Sequence, residues 1–171
     1  NYVRLINGAF STKPTSEWEE PDPIPWQAIM GREGNIYETY DEFMDAEGHR
    51  DWPSIAVYFY RDEWIMGDIE YQQALFEEIY KHQYNPIIFY GQYGSNPRVG
   101  IPNMKLSMNH LFGKNEFPFD VLINTCKFSF QSLGAQTLEE LKLQDVPIVQ
   151  GYTIYMDEKS WAENPQGVTP L

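Results

Sequence analysis

The sequence predicts an α/β domain: a parallel sheet of about four strands with helices on both faces. Three observations predict it. Ser54 to Tyr60 (SIAVYFY) and Pro86 to Tyr90 (PIIFY) are continuous apolar, β-branched and aromatic runs, as expected of strands buried on both faces. Stretches with helical spacing alternate with such runs to the end of the chain. At 171 residues, the chain is long enough for one domain with a proper hydrophobic core.

The elements follow in order. Residues 1–53 show no clean period and contain Pro14, Pro21, Pro23, Pro25 and Pro53, with Trp18 and Trp26 between them. They read as an irregular, extended arm or interdomain segment, with a short helix near Tyr40 to Ala46, ahead of an α/β domain over 54–171. After the first strand, Arg61 to Asp68 reads as a turn, with Asp68 as the N-cap of the following helix. On that helix Tyr71, Leu75, Phe76, Ile79 and His82 form one stripe, and Asn85-Pro86 ends it.

Gly91 to Pro102 is rich in Gly, Asn and Pro and reads as a loop. Met104 to Phe112 reads as a helix stopped by Gly113. Phe119 to Asn124 is the third strand, Thr137 to Leu143 a short helix, Val146 to Gln150 the fourth strand, and Asp157 to Glu163 a last helical turn or two. Right-handed crossovers then give a three-layer, flavodoxin-like or Rossmann-like sheet in the strand order 2-1-3-4.

Such sheets bind ligands beyond the carboxyl ends of their strands, where the strand order reverses. That rule selects four loops: Arg61 to Asp68, Gly91 to Pro102, Thr125 to Gly134 and Gln150 to Asp157. The first has a single glycine, Gly67, among acids that would repel phosphate, so it is no nucleotide-binding turn. Arg61 could hold a carboxylate in a bidentate fork, or pair structurally with Asp62, Glu63 or Asp68. The third loop sets Thr125, Ser129 and Ser132 beside Phe128, Phe130 and Lys127, a mixture suited to a flat, carboxylated ligand or to capping the sheet end.

Composition narrows the function. A net charge of -13 leaves no basic surface for nucleic acid. Residues 16–51 hold eleven acids against Arg32 and Arg50, either a solvated face or a docking surface for a basic partner. No apolar run approaches the ~20 residues that span a bilayer. The opening NYVRLINGAF lacks the features of a signal peptide, and without an initiator Met the chain reads as a piece of a longer protein or a processed chain.

Cys126 is the only cysteine, so no internal disulfide or cysteine-based zinc cage can form, and a reducing, cytoplasmic compartment is expected. It reads as a small buried hydrophobe. His49, His82 and His110 have no partner at a metal-ligand spacing and read as packing or surface residues. No Ser-His-Asp or Cys-His arrangement stands out.

From residue 33 to 171 the order of segments resembles the large subunit of class I metal chelatases, the CobN and magnesium-chelatase H-subunit family. The resemblance rests on SIAVYFYR followed by Trp64 and Gly67-Asp68, then PIIFYG, then Asp120 to Ile123 with Thr125, Phe128 and Ser129. It continues with Val146, Pro147 and Gln150, and with Trp161 before Gly167 and Pro170. Gly34-Asn35-Ile36-Tyr37 looks like the family's Gly-hydrophobic-Tyr-His-Pro segment, but Glu38 and Thr39 stand where His-Pro is usual, so no role of that histidine carries over.

The resemblance implies one domain of a tetrapyrrole-holding subunit that works with separate AAA+ ATPase subunits and with its own remaining domains. The full complex would use ATP, a divalent metal (cobalt or magnesium) and a tetrapyrrole; the fragment itself would bind no cofactor and be inactive alone. The tetrapyrrole-binding candidates are Arg61, Trp64, Asp68, Lys127, Phe128, Ser129 and Gln150, with the catalytic base unassigned. The alternative is a non-catalytic flavodoxin-like binding or scaffold module.

Overall fold

A computed structural model describes residues 23–92, 95–113, 116–126, 139, 141–142, 144–151, 153 and 158–163. Its strands are β1 (Ala28–Met30), β2 (Ile36–Tyr37), β3 (Ser54–Tyr60), β4 (Asn85–Gly91), β5 (Val121–Asn124) and β6 (Ile148–Gln150). Its helices are α1 (Tyr40–Ala46), α2 (Arg61–Met66), α3 (Glu70–Lys81), α4 (Met104–Phe112) and α5 (Glu158–Glu163), with single 3-10 turns at Arg32–Gly34 and Pro97–Val99.

The strands form one six-stranded sheet in the order β2-β1-β4-β3-β5-β6. Within it β4, β3, β5 and β6 are parallel neighbours, the four strands and the order expected from the sequence. The count is a correction: six strands among the described residues, not four. β1 adds antiparallel to β4 and β2 antiparallel to β1, both drawn from the segment that reads as irregular. Ala28, Ile29 and Met30 are fully buried, which repays the ordering of so short a strand.

The core strands are apolar on both faces, as parallel strands require. Phe59, paired in register with Tyr90, points to the side of α2, where Trp64 stacks on Tyr90 with ring centroids 5.5 Å apart. On the other face Phe89 meets Phe112 of α4 edge-on at 5.1 Å, and Phe112 in turn meets Tyr40 of α1. α1 begins with a reciprocal capping box between Thr39 and Glu42, so Thr39 is a helix cap.

The segment after β3 departs most from expectation. Arg61 to Asp68 is not a turn: α2 starts directly from the strand. Gly67, at φ 76°, closes α2, with the Gly67 N–H donating to Trp64 and the Asp68 N–H to the Glu63 carbonyl. The Asp68 N–H is thereby spent on the preceding helix, and the N-cap of α3 is Ile69, which makes no side-chain cap bond. His82 is likewise exposed and bonded to Glu78 rather than part of the buried stripe, which runs through Gln72, Phe76 and Ile79. Glu139, Leu141 and Lys142 are helical, and the rest of the expected 137–143 helix lies outside the described residues.

Candidate functional site

The switch in strand order falls between β3 and β5, and their carboxyl ends carry a polar cluster. α2 brings Glu63 over the sheet end, and the first turn of α3 brings Tyr71 and Gln72 against it. Tyr71 donates its hydroxyl to Glu63 at 2.7 Å, and Gln72 donates its amide to the same Oε2 at 2.6 Å. Thr125, just past β5, lies 3.0 Å from the Tyr71 hydroxyl and donates to the Tyr58 carbonyl at 2.9 Å. Burial pushes the Tyr71 phenol well up, with Thr125 opposing and Glu63 reinforcing the shift. Burial also raises the Cys126 thiol far above its usual range; the residue is fully enclosed, as a small hydrophobe.

Arg61 opens α2 and turns away from this cluster. Its Nε donates to the Pro25 carbonyl at 2.8 Å and one terminal nitrogen to the Ile24 carbonyl at 3.1 Å, with the guanidinium 4.5 Å from the Trp26 ring centroid. None of Asp62, Glu63 and Asp68 pairs with it among the described residues. Trp64 stacks on Tyr90 and reaches the Gly34 carbonyl at 3.4 Å. Asp68 is exposed at the α2–α3 junction.

Gln150, at the end of β6, faces β5. It accepts from the Asn124 amide at 2.8 Å and donates to the carbonyls of Asn124 and Cys126 at 3.0 and 2.8 Å. Arg61 and Trp64 therefore gather on the β4 side and Gln150 on the β5–β6 side, with no contact joining the two groups among the described residues. Lys127, Phe128 and Ser129 lie outside the described residues.

Sequence reasoning missed Tyr71 and Gln72 as polar site residues. Gln72 is fully buried on a helix whose stripe otherwise reads as apolar, and its partner Glu63 is nine positions earlier. It also missed Tyr90, whose hydroxyl is buried without a hydrogen-bond partner.

A second concavity of about 490 Å³ lies by the β1–β2 connection, lined by Arg32, Glu33, Asn35, Ala46, Glu47, Gly48, His49 and Tyr80. Its polar groups are largely satisfied by one another. Arg32 pairs with Glu77 at 2.8 Å, Glu47 accepts from the Arg32 N–H and the Tyr37 hydroxyl, and His49 Nε2 lies 2.8 Å from the Tyr80 hydroxyl. Among the described residues, no three His, Cys, Asp or Glu side chains are grouped to hold a metal, and no helix is long and apolar enough to cross a membrane.

The model of the CobN/magnesium chelatase family matches residues 1–171. An uncharacterized protein of Methanocaldococcus jannaschii is 31% identical over 166 residues, which cover 91% of this chain and 13% of that protein. The catalytic subunit of cobaltochelatase from Mycobacterium tuberculosis superimposes with a TM-score of 0.59 at 18% identity, over 99% of this chain and 13% of that one. The fold is thus similar to part of that subunit, and the chain spans about an eighth of the length of either relative.

Proposed function

The chain belongs to the CobN/magnesium chelatase family, and we propose that it serves as one α/β domain of a chelatase-like large subunit, helping to hold a tetrapyrrole during metal insertion. In this reading cobalt or magnesium is the inserted substrate, ATP is hydrolysed by separate AAA+ subunits, and the work is cytoplasmic. The observation that carries it is the family match along the whole chain, supported by the likeness in fold to a cobaltochelatase subunit.

The chemistry asked of this domain is recognition. A macrocycle with carboxylate arms needs flat apolar contact and a few cations or donors. Arg61, Trp64, Asp68, Lys127, Phe128, Ser129 and Gln150, at or beyond the carboxyl ends of β3, β5 and β6, are the groups proposed to supply them. Metal insertion also needs a base for the pyrrole protons, and that role is left to the rest of the protein.

The full-length protein, titrated with protoporphyrin and followed by the porphyrin absorption band, tests this. The expected result is a saturable spectral shift weakened by Lys127→Ala. No shift with any tetrapyrrole in the full-length protein overturns it.

One observation favours a second reading, a domain that acts as scaffold alone: Gln150 and the fork of Arg61 already spend hydrogen bonds on this chain's own backbone. In that case the full-length protein gives the spectral shift, and substitutions at Arg61, Lys127 and Gln150 leave its midpoint unchanged.

A further inference from the structure

We propose that Arg61 and Tyr90 form a carboxylate subsite which residues 24–26 of the same chain keep occupied, so that a carboxylated flat ligand enters by displacing this strap. The inference deepens the tetrapyrrole reading and rests on it.

The first observation is what Arg61 holds. Its Nε and one terminal nitrogen form the side-on fork that a carboxylate fills with two oxygens. Here the two oxygens are the carbonyls of Pro25 and Ile24, at 2.8 and 3.1 Å. They belong to different residues and carry no net charge. Among the described residues this part-buried guanidinium meets carbonyl dipoles and the Trp26 ring but no carboxylate, and a true carboxylate in the same fork is the stronger partner.

The second observation is Tyr90. It is fully buried at the carboxyl end of β4, and among the described residues its hydroxyl has no hydrogen-bond partner. Buried polar groups are nearly always satisfied, so an orphan hydroxyl marks a place where a partner is missing. Arg61 is close enough for its charge to act on this phenol, opposing the effect of burial. Burial nonetheless holds the phenol up at about 12, so it is a neutral donor at physiological pH. Trp64, one turn after Arg61 on α2, stacks on the Tyr90 ring, so cation and phenol lie on one side of the sheet end.

The third observation is the wall around them. Trp64 lies nearly parallel to the Tyr90 ring, 23° between planes, while Trp26, over the guanidinium, belongs to the strap and leaves with it. Flat aromatic faces next to a cation and a phenol suit a carboxylate borne on a planar ring system. The strap itself is lightly held. Among the described residues, the hydrogen bonds to the carbonyls of Ile24 and Pro25 come from Arg61 alone, whereas Ala28 onward is locked into the sheet against Tyr90. Gln27 is the joint between the two. Displacement costs the ligand part of its binding free energy, so loosening the strap raises apparent affinity.

The test uses the full-length protein and mesoporphyrin, with etioporphyrin as the ring of similar shape without carboxylates. Pro25→Gly, which loosens the strap, is expected to tighten mesoporphyrin binding several-fold and leave etioporphyrin unchanged. Arg61→Lys, which keeps the charge but breaks the fork, is expected to weaken mesoporphyrin binding about tenfold. Hydroxyl-radical footprinting on the unsubstituted protein needs no variant: Trp26, which now lies over the Arg61 guanidinium, should gain reactivity when mesoporphyrin saturates.

Mesoporphyrin binding indifferent to both substitutions, with unchanged radical reactivity at Trp26, overturns the strap while leaving the tetrapyrrole reading intact. If no porphyrin binds at all, that reading fails instead, and benzoate, followed by tryptophan fluorescence, probes the subsite alone. Quenching that requires Arg61 upholds the subsite; quenching that persists in Arg61→Lys, or none at all, overturns it.

Discussion

Asn124 and Gln150 face each other in register across β5 and β6 and are joined twice, once through the Asn124 amide and once through the Asn124 carbonyl. Gln150 adds a third bond, to the carbonyl of Cys126, and so fixes the path of the chain as it leaves β5. A residue proposed to meet ligand is, in this structure, the clasp between two strands.

Removing that clasp should cost stability. Gln150→Ala is expected to lower unfolding free energy by about 1–3 kcal/mol, because the Cys126 carbonyl loses its donor and the Asn124 amide its acceptor, while the Asn124 carbonyl keeps the Gly151 N–H. Gln150→Glu should cost more at neutral pH, since a carboxylate cannot donate to either carbonyl and sets negative charge against both. The Glu variant should recover part of the loss on acidification, when its protonated form regains one donor. Urea unfolding at pH 5 and pH 8 measures both effects.

Asn85 is a second such point, at the opposite end of the sheet. Its side chain accepts from the His49 N–H at 2.8 Å and donates to the carbonyls of His49 and Trp52, each at 2.9 Å, from a position only 1% exposed. Asn85→Ala leaves those groups unsatisfied in the interior and should destabilise by about 2–4 kcal/mol. His49→Ala, which keeps the backbone contacts, should cost less. Thermal unfolding of the two variants side by side decides the order.

The phenols set the alkaline limit. The bond to Glu47 first, then burial, raises Tyr37 to about 12, and burial raises Tyr90 to about 12. Both exceed the ordinary value of 10. The folded state therefore keeps these protons longer than the unfolded chain does. The stability they confer is complete below pH 10 and falls as pH rises through 10 to 12. Absorbance at 295 nm should show part of the tyrosine population ionising only with unfolding, and Tyr37→Phe should shrink that part.

Much of the fold was legible because its signals are local. SIAVYFY and PIIFY are runs that only a doubly covered strand uses, and they became β3 and β4. Met104 to Phe112, with Gly113 as its stop, became α4, and the structure adds Asn103 as the cap of the Leu106 N–H. With helices between the strands, the handedness of crossovers leaves little freedom, and the order 2-1-3-4 followed.

β1 and β2 were not legible, since three and two residues are too few to display a period of two. α2 was hidden for another reason. Arg61-Asp62-Glu63 looks like turn chemistry, and only Trp64 packing on Tyr90 makes it a helix. The candidate site depended on distance: the partners of Arg61 lie 36 and 37 positions away, and Tyr71 meets Thr125 across 54. No window of sequence contains such pairs.

β2 ends the sheet, among the described residues, with two residues laid antiparallel outside β1. A border this brief offers a neighbouring strand almost nothing to zip onto. The domain is thereby kept from continuing its sheet into adjoining parts of a larger protein on that side. Contact with neighbouring parts on that side is left to side chains, which can be repacked without breaking a ladder of backbone hydrogen bonds.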